Sequence, residues 1–135
     1  MYLKNFFLTV KVLLMLTTSV LAQLSSEECI QNLSIFAESA KVKNYEAAYE
    51  PWMKVRNECP SINLAIYSYG ERILKFKYQN SSGDEKISYA NDILKLYDQW
   101  LEYFPTKKNK KVIGDIISSK AQAMIDYKIG DKTLI

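Results

Sequence analysis

Apolar residues return along the chain at steps of three and four, in five separate stretches. They are Leu33, Phe36, Ala37 and Ala40; Tyr45, Ala48, Trp52 and Val55; Ile66, Tyr69, Gly70 and Ile73; Ala90, Ile93, Tyr97, Trp100 and Phe104; and Ile113, Ile117, Ala121 and Met124. Such spacing puts each set on one face of a helix. The pattern predicts an all-α protein with helices over about 26–41, 44–57, 62–78, 85–104 and 111–128. The fourth stretch is the widest, because Ile87, Leu94 and Leu101 extend it sideways. A stripe of that width suits a helix packed between two neighbours.

Polar punctuation supports these limits. Ser25 or Ser26 is placed to cap the first helix, with Glu27 and Glu28 favourably in its first turn. Asn44 caps the second, Ser61 follows Pro60 to cap the third, and Ser82 or Asp84 caps the fourth. Pro51 falls inside the second stretch and removes one helical hydrogen bond, at about 3 kcal/mol. The apolar face continues past it through Trp52 and Val55, so one kinked helix is expected. Gly70 is costly mid-helix, by ~1 kcal/mol, and its use there implies close approach of a neighbour.

The N-terminus has another pattern. Lys4 precedes an apolar run from Phe6 to Leu21 interrupted by Lys11, and the run closes on Val20-Leu21-Ala22. This is the three-part form of a secretory signal cleaved after Ala22, leaving a domain over 23–135. The run is short for a bilayer span, which needs roughly 20 apolar residues. Ser26-Glu27-Glu28 before Cys29 does not suit a lipoprotein site. The expected location is periplasmic or secreted, with no transmembrane segment after cleavage.

Composition narrows the chemistry. The 135 residues include no histidine, so the commonest general base and transition-metal ligand is absent. The formal charge is +3. Lys4 and Lys11 fall in the signal and no acidic residue does, so 23–135 carries 16 basic against 15 acidic side chains. That balance gives no reason to expect a nucleic-acid partner. Lys107-Lys108-Asn109-Lys110-Lys111 reads as a solvated linker, with an acidic-lipid or polyanion patch as the alternative. Asn32-Leu33-Ser34 and Asn80-Ser81-Ser82 match a glycosylation triplet that arises often by chance.

Cys29 and Cys59 are the two cysteines. In an exported chain they are candidates for one disulfide. Cys29 opens the first helix and Cys59 follows the second, so an antiparallel hairpin brings them to the same end. Neither a closed metal site nor an activated thiol nucleophile can be built from them.

The first two helices share a plan with the next two: apolar helix, turn, aromatic-rich helix, proline. Tyr45, Ala48, Trp52, Val55 and Pro60 follow the second-helix series of a tetratricopeptide repeat, and the hairpin resembles that family. Phe36 stands where the family prefers a small residue, and Lys43 where it prefers glycine at the turn. The second hairpin is similar more loosely, through Gly70 at the small site and through Ile93, Tyr97, Trp100 and Pro105. The resemblance spans about 29–128. It implies hairpins stacked as a short α-solenoid. With the signal and the cysteine pair, the chain looks like the N-terminal part of exported tetratricopeptide-repeat proteins of Gram-negative bacteria. Gly130-Asp131 looks like the turn before a further helix.

The resemblance implies a module that binds a peptide or partner protein in a concave groove lined by the first helix of each hairpin. The groove sites carried over onto the second hairpin are Leu64, Tyr67, Glu71 and Leu74. Tyr67, as a stacking surface, and Glu71, as a polar anchor, are the candidate partner-binding residues. The first hairpin offers Ile30, Leu33, Ala37 and Ala40 there, so a basic clamp for a terminal carboxylate is not evident. No catalytic residue, cofactor site or metal site is expected. The carboxylate pairs Asp92 with Asp98 and Glu46 with Glu50 have the spacing of ordinary solvated helix faces. The alternative to a peptide binder is a structural, self-associating envelope component.

Overall fold

A computed structural model describes residues 25–105 and 113–129. The signal of 1–22, the 107–111 lysine run and the 130–131 turn lie outside the described residues. The described chain is all-α: α1 (Ser26–Lys41), α2 (Tyr45–Glu58), α3 (Ala65–Gln79), α4 (Gly83–Tyr103) and α5 (Ile113–Asp126). Each helix packs on the next in sequence, and α1 also packs on α3. The result is a repeat-like stack in which α3 is surrounded by α1, α2 and α4.

Local chemistry explains most boundaries. Ser25 Oγ accepts from the Glu28 amide, and the Glu28 carboxylate accepts from the Ser25 amide, a complete capping box. Asn44 Oδ1 accepts from the Ala47 amide to open α2. Pro51 sits within α2 without ending it. Lys43, at the turn between α1 and α2, adopts φ 61, the left-handed conformation that glycine tolerates best. The third helix starts three residues later than expected. Ser61 does not cap it; Asn63 Oδ1 accepts from the Ala65 amide instead. Ser82 occupies the N-cap position of α4 without a side-chain bond.

Cys29 and Cys59 form a disulfide at the base of the first hairpin, with their Cα atoms 6.3 Å apart. Closing a loop across a separation of 30 residues should stabilise the fold by about 3–4 kcal/mol. Replacing both cysteines with serine should therefore lower the urea midpoint. Peptide mapping of unreduced protein should recover the two cysteine peptides joined, and two alkylatable thiols would refute the pairing.

The core runs through all five described helices, and most of it comes from the first four. Phe36, Ala40, Ala48, Trp52, Val55, Ile66, Ile73, Ile93, Tyr97 and Trp100 are buried in one cluster, which covers most of the periodic positions. Trp52 is fully enclosed. Its indole Nε1 donates to the Ile66 carbonyl at 2.7 Å, and its ring lies against Gly70, where a β-carbon would sit 2.7–2.9 Å from three indole atoms. Gly70 thus makes room on α3 for the indole that α2 presses against it, a close contact with a neighbouring helix at its mid-helix position.

Two stripes differ from expectation. Ile87 is 58% exposed, and Leu96 is buried in α4 instead. In α5 the expected seam of Ile113, Ile117, Ala121 and Met124 faces solvent, while Ile116 and Ala123 are buried. On the inward side of α5, Ile116 and Ala123 join the core cluster, Lys120 pairs with Asp98 on α4, and Tyr127 meets Tyr78 on α3, ring centroids 4.3 Å apart.

Candidate functional site

The two candidate partner-binding residues have different fates. Tyr67 is fully buried, and its side chain is part of the core, not a groove surface. Its ring stacks on Trp100 at 6.0 Å and meets Phe104 edge-on at 5.6 Å, while its hydroxyl donates to the Pro60 carbonyl at 2.9 Å. Burial raises its pKa well above the ordinary phenol value. Leu74, two helical turns along, is buried with it. The physical reason is the packing of α4: Trp100 and Phe104 cover the arc of α3 that a more open stack would leave bare.

Glu71 remains at a surface. Its side chain is 17% exposed and lies in a cleft of ≈ 340 Å³ lined by α3, α4 and α5. Glu71 and Lys75 come from α3, Tyr97 from α4, and Ser118, Ser119, Gln122, Asp126 and Tyr127 from the α5 side. Glu71 Oε1 accepts from Tyr97 Oη at 2.9 Å and from Lys75 Nζ at 2.7 Å. The Tyr97 hydroxyl is held neutral far above the usual phenol range, first by burial and then by the Glu71 charge. It therefore serves as a fixed donor that orients the carboxylate. Across the cleft, Gln122 Nε2 donates to Asp126 Oδ1 at 2.7 Å. Tyr127 is also raised, mainly by burial; Lys75 opposes that shift, while Tyr78, Asp126 and Glu71 add to it.

The α5 lining was not anticipated. Ser119, Gln122 and Asp126 recur at steps of three and four, so they share a helical face, and that polar periodicity was the available signal. Glu71 and Tyr97 are 26 residues apart, and nothing local in the sequence joins them.

Three of the four carboxylates considered above, Asp92, Asp98 and Glu46, are tied to cations. Arg56, buried in α2, donates through Nη1 to Asp92 Oδ2 at 2.9 Å and through Nε to Gln99 Oε1 at 2.7 Å. Its Nη2 lies 2.9 Å from Asp92 Oδ1 as an ion-pair contact, and the guanidinium stacks 5.1 Å from the centre of the Trp52 ring. Asp98 pairs with Lys120, and Glu46 with Lys77. These contacts staple α2 to α4, α4 to α5 and α2 to α3. Among the described residues no three His, Cys, Asp or Glu side chains gather as a metal site, and no helix is long and apolar enough to cross a membrane. No family model matches the chain, and neither a curated protein nor a solved structure is significantly similar to it.

Proposed function

We propose that the chain is an exported, tetratricopeptide-like interaction module that holds a peptide or a segment of a partner protein in the cleft beside Glu71. The observation that carries this is the position of the cleft. It opens between α3 and α5, the first helices of successive hairpins, with Glu71 at its base. That is where stacks of this kind keep their groove. The glycine under Trp52 and the left-handed backbone at Lys43 support the family reading, since the motif prefers a small residue at the first position and glycine at the second. The disulfide fits an oxidising compartment. Export would leave a mature chain starting at Gln23, which the intact mass of the secreted form measures.

The experiment is capture of partner proteins by the domain and by Glu71→Gln. The glutamine keeps an oxygen for the Tyr97 hydroxyl and removes the charge. If Glu71 is an anchor, capture should weaken by about 1–2 kcal/mol, roughly tenfold. The thermal midpoint should stay within a few degrees of the parent. Undiminished capture by Glu71→Gln would place the binding surface elsewhere.

One observation favours self-association as a second reading. Ile113, Ile117, Met124 and Ile125 are all exposed on the outer side of α5. A contiguous apolar face of that kind is how subunit contacts begin. Light scattering decides it: a mass that doubles with concentration, and that Ile117→Asp returns to monomer, would support assembly through α5.

A further inference from the structure

We infer that the outer face of α5 is a two-fold contact surface on which a second copy of this chain packs antiparallel; this rests on the self-association reading above. Four large apolar side chains stand exposed on that face, Ile113, Ile117, Met124 and Ile125, with the small Gly114 and Ala121 exposed among them. No described helix covers them, since α5 turns its opposite side, with Ile116 and Ala123, toward the core. At 3.6 residues per turn, the charged residues of the helix, Asp115, Lys120 and Asp126, fall to either side of the strip. Burying it therefore strands no charge.

The first reason for a second copy is the symmetry of the strip. A two-fold contact needs a patch that complements itself. Ile117, Ala121 and Ile125 stand at steps of four, so the ridge reads bulky, small, bulky in either direction. Turned end for end about Ala121, Ile117 of one copy meets the partner's Ile125, and Ser118 meets the partner's Met124. Ala121 meets its own counterpart on the axis, where two methyl groups let the backbones approach closely.

The second reason is charge. Asp115 lies in the first turn of α5, and Lys128 lies just beyond its last. Both are exposed, and neither side chain has a partner among the described residues. In an antiparallel pair, Asp115 of each copy comes level with the partner's Tyr127 and Lys128, so opposite charges approach twice. In a parallel pair like charges meet instead, and the two helix dipoles align unfavourably. Size sets the strength. A helix of 14 residues offers a strip about 21 Å long and about 10 Å wide. That is well below the roughly 800 Å² per partner of a standard stable interface. The pair therefore forms and separates with concentration.

The test uses the full mature chain with its native disulfide intact, followed by light scattering over a wide range of concentration at low salt. Ala121→Cys and Gly114→Cys, made separately at exposed positions, report the arrangement. Both should keep the circular dichroism of the parent. Mild oxidation should link Ala121→Cys into a dimer and leave Gly114→Cys unlinked, because an antiparallel pair holds the two Gly114 positions about 21 Å apart along the helices. Asp115→Lys should weaken dimerisation about three- to tenfold, as should Lys128→Asp, and the two together should restore the parent value. If Gly114→Cys links as readily as Ala121→Cys, or if the charge changes have no effect or fail to compensate, the antiparallel arrangement is wrong while self-association through α5 stands. If the parent stays monomeric at every concentration, or dimerises with neither cysteine linking, both the arrangement and the α5 reading are wrong.

Discussion

Tyr67→Ala should destabilise the fold by about 3–5 kcal/mol, as much as Trp100→Ala. The two rings are neighbours in one buried stack, and Phe104 closes it from the side. Removing either leaves a cavity between α3 and α4 that two long helices cannot collapse to fill. Tyr67 also donates to the Pro60 carbonyl, at the start of the connection into α3. Tyr67→Phe isolates that bond and should cost about 1 kcal/mol. The measurement is the urea midpoint at unchanged slope. A Tyr67→Ala variant as stable as the parent would mean that the ring faces solvent, as the repeat register alone implies. The same variant separates stability from binding. Partner capture should fall with Tyr67→Ala only in proportion to unfolded protein, whereas Glu71→Gln should lower capture in fully folded protein.

Helical periodicity identified every described helix, and capping chemistry placed several of their ends, because both act within a few residues of sequence. What periodicity does not contain is the identity of the neighbour. Tyr67 and Leu74 share a stripe with Gly70, and Ile66 and Ile73 lie beside them, so α3 has an apolar arc wide enough for three partners. The repeat register assigned half of that arc to solvent, and Trp100 with Phe104 covers it. In α5 two apolar stripes compete. Ile113, Ile117, Ala121 and Met124 form the longer one, yet the side bearing Ile116 and Ala123 is buried. The buried side is the one whose contacts are distant in sequence: Ile116 and Ala123 join the core of the earlier helices, with Lys120 on Asp98 and Tyr127 on Tyr78 beside them. The candidate site has the same character. Glu71 was legible as a polar residue at a groove position, but its cleft is assembled from three helices.

Gly70→Val should be as damaging as losing the Tyr67 or Trp100 ring, at about 4 kcal/mol. A β-carbon at this position would lie 2.7 Å from Trp52 Cζ2, 2.8 Å from Nε1 and 2.9 Å from Cε2. These atoms belong to a rigid ring that is fully buried and cannot swing aside. The indole is also held to α3 itself, through Nε1 donating to the Ile66 carbonyl one turn before Gly70. Any movement that relieves the clash lengthens that bond and strands a buried donor. Gly70→Ala meets the same ring but gains ~1 kcal/mol of helix propensity, so its net cost should be smaller, near 2 kcal/mol. If crowding is the cause, removing the obstacle must help. Gly70→Ala in a Trp52→Leu background should then cost less than in the parent, or even stabilise, because the alanine fills part of the space the indole vacated. Additive effects in this double-mutant cycle, read from denaturant midpoints, would show that Gly70 is needed for something other than the approach of Trp52. That result would remove the close α2–α3 contact from the explanation of the fold.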